Sequence, residues 1–163
     1  MNTAVSRLAV VGVMLASIGA CGRTDNAAEQ TAAPALTAAT LGTQVVLATE
    51  DYLSSPEFAN ANVEYGERLV LQCRACHTLE EGGPNMIGPN LFGFFGRHVG
   101  SVAGFPYSRA LSEADFVWTP RALDAWLAAP GEFLRGSSMA YPGLPRDEDR
   151  TDLIAALLTL TTE

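Results

Sequence analysis

The chain contains no lysine: its ten basic residues are all arginine, set against 18 acidic residues for a net charge of −8. An acidic chain of this kind excludes nucleic-acid binding by the usual basic surface and directs charged partners toward a positive face. Histidine and cysteine are scarce, with two and three copies in 163 residues. A tetrahedral zinc site built around the Cys73/Cys76 pair would need two further ligands, and outside the motif that ends in His77 only Cys21 and His98 remain, far apart in the chain. Long apolar runs are missing too. Leu8 to Ala20 is thirteen residues, short of the roughly 20 that a membrane-spanning helix needs. No β-branched strand pattern surrounds residue 73, which removes the βαβ setting of a thioredoxin-like redox motif. The length bounds the chain to one domain plus tails.

Two of the three cysteines stand in Cys73-Arg74-Ala75-Cys76-His77. Thiols two residues apart, followed at once by an imidazole, read as an attachment site for haem c. The spacing lets both sulfurs reach the two vinyl groups of one porphyrin edge and places the histidine under the iron.

The third cysteine ends the apolar run. Arg7 and the amino terminus precede that run, and Ile18-Gly19-Ala20-Cys21 resembles the lipobox of bacterial lipoproteins. Residues 1–20 are thus expected to be a lipoprotein-type signal peptide, with Cys21 lipidated and anchoring the chain on the periplasmic side of a bacterial membrane. A plain signal peptide cut near Ala20, or an uncleaved anchor, is the alternative. Residues 21–48 are rich in alanine and threonine and nearly devoid of aromatics, so they are expected to be a flexible tether with an r.m.s. span on the order of 30 Å. A helix of these alanines lying on the domain is the competing reading. The domain itself is assigned to residues 49–163, as an all-α unit.

Helix signals organise that domain. Ser55-Pro56-Glu57 looks like a short helix start. A longer helix begins near Asn62, with Glu64 and Glu67 in its first turns and Leu69, Val70 and Cys73 at helical steps, and it delivers the haem motif. Gly66 inside it costs about 1 kcal/mol relative to alanine, which suggests a second backbone packed close. Ser108 caps a short helix through Ala114. Thr119-Pro120 starts one through Ala128 that Pro130 terminates, and the acidic run Asp147 to Asp149 opens the last helix, through about Thr161. Between them lie Leu79 to Gly104 and Gly131 to Pro145, both read as loops. The first carries Leu91, Phe92, Phe94 and Phe95, as a segment wrapping an apolar object would.

A haem iron held by His77 has a sixth position, and a methionine thioether there suits an electron carrier, because soft sulfur favours ferrous iron. Met86 lies nine residues past His77, too near to come round the opposite face; Met139 lies 62 residues on, in a loop. His98 could in principle take the methionine's place, but it follows Arg97 in a glycine-rich stretch.

From about Val63 onward the chain resembles a class I cytochrome c, close to the mitochondrial type. The resemblance is carried in order by the haem motif with Thr78, Gly88-Pro89-Asn90-Leu91, Phe95-Gly96-Arg97, Gly104-Phe105-Pro106-Tyr107, Trp118, the Leu123 to Pro130 helix, Met139-Ala140-Tyr141-Pro142-Gly143-Leu144 and Asp152-Leu153-Ile154-Ala155. It covers about 100 residues. It implies a cytochrome c fold around one covalent haem c, thioether bonds at Cys73 and Cys76, and axial ligands His77 and Met139. It further implies a hydrogen bond from His77 to the Pro89 carbonyl, propionate contacts at Arg97, Tyr107 and Trp118, and a helix crossing at Gly66.

Two departures stand out. The family's lysine ring around the haem edge is absent, with Ser138 before the ligand and Ala128 and Gly131 flanking Pro130. Trp126 stands where the family typically has a tyrosine beside the methionine, and an indole cannot make the same phenolic hydrogen bond to sulfur. The expectation is a monomeric domain shuttling single electrons between larger redox complexes, with redox protein partners that present a basic docking surface, no nucleic acid, and no catalysis. A haem subunit fixed to a periplasmic dehydrogenase or oxidase is the alternative, and a peroxidase-like enzyme a more distant one.

Overall fold

Helix α2, Val63–Arg74, starts where a side chain can cap it: the Asn62 carbonyl oxygen accepts from the Tyr65 amide at 2.9 Å, and Glu64 sits in the positive first turn. Helix α6, Asp147–Leu160, opens on three consecutive acids and buries Leu153, Ile154 and Ala155 through Leu158. In the computed structural model, which describes residues 36–162, these two helices pack against each other as the main helical contact. They cross at Gly66. A Cβ on Gly66 would overlap the Asp152 carbonyl oxygen, stand 2.6 Å from its carbon and 2.9 Å from the Ala156 Cβ. The Asn62 amide donates to the Asp152 carboxylate at 2.7 Å across the same crossing. The second backbone suggested by the mid-helix glycine is therefore α6.

Helix α1 is Thr49–Leu53, α3 Arg109–Glu113, α4 Pro120–Ala128 and α5 Pro130–Phe133. Among the described residues there is no strand, and the single isolated bridge pairs His98 with Val117. The fold is all-α, as expected. Leu79, Phe94, Leu123, Trp126 and Phe133 join the inner faces of α2 and α6 in one core.

Two expectations about helix punctuation are corrected. Ser55-Pro56-Glu57 does not start a helix; residues 54–60 form turns, and the helix lies earlier, as α1. Burial decides this. Successive turn hydrogen bonds from Ser55 to Tyr52, Phe58 to Ser55 and Ala61 to Phe58 roll the chain so that Tyr52 and Phe58 both enter the core. The Ser55 hydroxyl is left buried without a partner instead of capping. Pro130 does end α4, but it also occupies the first position of α5, where its missing N–H costs nothing. Part of the expected loop is therefore helical.

The extent of the domain also differs. Residues 36–48, expected to belong to the tether, lie against the domain. Leu41 is 2% exposed. The Gln44 side chain accepts from the Val117 amide at 2.9 Å and donates to its carbonyl at 2.7 Å, and Arg121 donates to the Leu41 carbonyl at 2.9 Å. Few apolar side chains are needed to hold a segment whose polar groups are matched in this way. Residues 1–20, expected to be a signal peptide, Cys21 and residues 22–35 of the expected tether lie outside the described residues.

Candidate haem site

The last turn of α2 presents Cys73, and the chain leaves the helix by a tight turn in which the amides of Cys76 and His77 both donate to the Cys73 carbonyl, at 3.0 and 2.9 Å. Cys73, Cys76 and His77 all line one cavity of about 250 Å³. Neither cysteine is paired in a disulfide, so both are open to a covalent link, and burial pushes the unlinked Cys73 thiol up to about 11. The His77 Nδ1 lies 2.6 Å from the Pro89 carbonyl oxygen. A carbonyl can only accept, so Nδ1 carries the proton and Nε2 keeps its lone pair. Burial lowers the His77 pKa despite that hydrogen bond, and the ring stays neutral, as a metal ligand must be.

The loop behind His77 is held at close quarters. A Cβ on Gly88 would come within 2.6 Å of both ring nitrogens of His77 and closer still to the carbon between them. Only glycine lets the backbone lie flat against the imidazole here. The Gly88 amide donates to the Cys76 carbonyl at 2.8 Å, Asn90 donates to the Thr78 hydroxyl at 2.7 Å, and Thr78 donates to the Pro84 carbonyl at 2.8 Å. Thr78 and Asn90 entered the sequence reading only as members of a pattern. Their work as struts of the Pro89 carbonyl had no separate signal.

Met139 lines the cavity too, from the segment between α5 and α6, whereas Met86 is 48% exposed and does not. The Met139 segment is fastened at its far end. The Leu144 amide donates to the Leu127 carbonyl at 2.7 Å, and Arg150 donates to the carbonyls of Leu144 and Pro145 at 2.9 and 3.1 Å. The same guanidinium pairs with Asp124 on α4 at 2.6 Å and with Asp147 at 2.8 Å. Arg150 thus joins α4, α6 and the Met139 loop, a role the sequence reading missed because an arginine within an acidic helix start looks like ordinary charge balance. Trp126 occupies the place of the missing phenol. Its indole N–H donates to the Met139 sulfur at 3.3 Å, so the missing phenol is replaced by a different donor.

Arg97, Tyr107 and Trp118 also border the cavity. The Arg97 guanidinium donates to the carbonyls of Asn90 and Phe92, at 2.9 and 3.2 Å, and has no carboxylate partner among the described residues. Burial lowers its pKa, which marks a cation short of compensating charge. The residues fit a haem. Two thiols, an imidazole with a free nitrogen and a thioether line the cavity, apolar walls include Leu91, Phe94 and Leu123, and a half-buried cation is available to an anionic edge group. They do not fit zinc, since no three His, Cys, Asp or Glu side chains converge among the described residues.

His98 borders the same cavity, but both of its ring nitrogens are engaged elsewhere. Its Nε2 lies 3.1 Å from the Asp115 carboxylate and its Nδ1 2.8 Å from the Val99 carbonyl. The Asp115 hydrogen bond, then the Val99 carbonyl, raise its pKa above 6.5. The small stabilisation this pair gives is fully present below pH 6.5 and disappears as pH rises through the raised value. Asp115→Asn should therefore bring the His98 midpoint down toward 6.5 in an NMR titration; an unchanged midpoint would show that the pair does not form in solution.

No family model matches the chain. A cytochrome c of the plant Stellaria longipes is 48% identical over 101 residues, which are 61% of this chain and 94% of that protein. The chain belongs to the cytochrome c family. A cytochrome c homolog of Bradyrhizobium diazoefficiens is 41% identical over 102 residues, 62% of this chain and 55% of its own length. One from Rickettsia typhi is 31% identical over 124 residues, 76% of this chain and 71% of its own. As a cytochrome c, the protein carries one covalently attached haem c, is an electron carrier and not an enzyme, and works with redox partners.

Proposed function

We propose that this cytochrome c is a class I, membrane-tethered carrier of single electrons, with thioether links at Cys73 and Cys76 and with His77 and Met139 as axial ligands. The observation that carries the reading is that His77 and Met139 border one cavity, each with a second contact, to Pro89 and to Trp126, that fixes its orientation. Haem c, once bound, supplies an iron that alternates between ferric and ferrous states. The protein's part would be to hold that iron between His77 and Met139, which would keep other ligands off the metal and leave electron transfer as its chemistry. Arg97, with Tyr107 and Trp118 beside it, offsets the charge of a propionate that would be costly to bury alone. Cys21 is the lipidated anchor, on the periplasmic side of a bacterial membrane. Partners with a basic docking surface suit the net charge of −8.

The test is to fractionate bacteria that attach haem and express either the full chain or Cys21→Ser. The full chain should sediment with membranes, titrate as a reversible one-electron couple, and leave its ferric spectrum unchanged when cyanide is added. Cys21→Ser should move to the soluble fraction with the same spectrum. Rapid cyanide binding by the full chain would refute closed axial ligation, and a soluble full chain would refute the anchor.

A further inference from the structure

We propose that Trp126 is a positioning residue for the axial sulfur, and that its N–H···S hydrogen bond sets this carrier's reduction potential higher than the same fold would have without it. The inference rests on Met139 being the sixth ligand and adds a regulator of that ligand.

Three observations carry it. The indole is 3% exposed, and the Met139 sulfur at 3.3 Å is the acceptor its N–H meets. Buried donors are nearly always paired, yet a thioether is among the weakest acceptors in a protein. A fold that buries an indole N–H against such an acceptor commits that donor to the sulfur.

The indole also cannot turn away. Phe116, Trp118, Trp126 and Phe133 form a closed ring of four edge-to-face contacts, with successive centroids 5.0, 5.6, 5.9 and 5.5 Å apart and interplanar angles of 82 to 85°. Rotating Trp126 would break two of them, those to Trp118 and Phe133. Finally, donor and acceptor are anchored separately. Trp126 belongs to the buried face of α4, while Met139 rides on the loop fastened by Arg150 and Leu144. The hydrogen bond is thus imposed by the fold and does not depend on the two side chains finding each other.

The electronic consequence follows from which oxidation state needs the sulfur's electrons more. A donor on one sulfur lone pair draws density away from the other. The electron-poor ferric iron loses more from a weakened ligand than the ferrous iron does, so the ferrous state is favoured. Removing the N–H should lower the potential.

Trp126→Phe keeps an aromatic ring between Trp118 and Phe133 and deletes the donor. Its potential, measured in the full-length haem-loaded protein by mediated titration, should fall. The expected size is about a tenfold change in the ferric-to-ferrous ratio at fixed applied potential, or about 59 mV for one electron. Its methionine-to-iron charge-transfer band should persist, but the ferric form should exchange methionine for added imidazole more readily. Trp126→Tyr, which restores a donor at the ring edge, should recover part of the shift. An unchanged potential in Trp126→Phe with the band retained would overturn the proposal and leave Met139 ligation standing. An equal fall in Trp126→Phe and Trp126→Tyr would also overturn it, because packing alone would then explain both. A wild-type protein lacking the band would instead remove the ligand reading on which the proposal rests.

Discussion

Gly66→Val should destabilise the domain by about 3 kcal/mol or more, a large fraction of the 5–15 kcal/mol that holds a domain of this size together. The new Cβ would overlap the Asp152 carbonyl oxygen, and that oxygen belongs to a helix backbone that cannot step aside as a flexible side chain would. The two helices would have to part. Separation would uncover Val70, Leu153 and Ala156, which are almost fully buried, and would pull the Asn62 amide from the Asp152 carboxylate. Gly66→Ala makes the sharper comparison. In an isolated helix alanine gains about 1 kcal/mol over glycine, so an uncrowded position would be stabilised. The crossing predicts the opposite sign. Urea unfolding of the haem-loaded variants reads both effects, and a Gly66→Ala protein more stable than wild type would mean that the helices do not cross as described.

Met139→Ala should leave haem attached, since Cys73 and Cys76 are untouched and lie on α2 and the turn that follows it. What it should lose is the closure of the sixth position. The variant is expected to bind cyanide where the wild type does not, and its potential should fall because a soft ligand favouring ferrous iron has gone. Folding stability should suffer less than in a fully buried methionine-to-alanine change, at the low end of about 2–5 kcal/mol, because Met139 is only partly buried. The loop keeps its hold on α4 and α6 through Leu144 and Arg150. A variant with the wild-type spectrum and potential would remove Met139 from the iron and reopen the question of the sixth ligand.

The parts legible in the sequence were those whose signals are local. Asn62 before α2, Thr119-Pro120 before α4 and the acids opening α6 each act within one turn of their own helix, and each helix begins where its signal stands. The haem motif is local as well. Ser55-Pro56 shows how such a signal loses. Its worth is a cap of about 1 kcal/mol, and burying Tyr52 and Phe58 outweighs that. Arg150 and Gln44 were illegible for a different reason. Their partners lie 26 and 73 residues away, at Asp124 and Val117, and nothing in either residue's neighbourhood names them. Trp126 is legible only as a departure, because the residue type shows what donor is lost while only the geometry shows where the new one points.

The segment at residues 36–48 gives the domain a load path. A pull entering from the N-terminal side meets the Arg121 contact to Leu41 first, and then the paired hydrogen bonds between Gln44 and Val117. The force is passed to residues 117–121 before it can reach α1 or the helix that holds Cys73. A pull from that side would have to break these hydrogen bonds before it loaded the helix that holds Cys73.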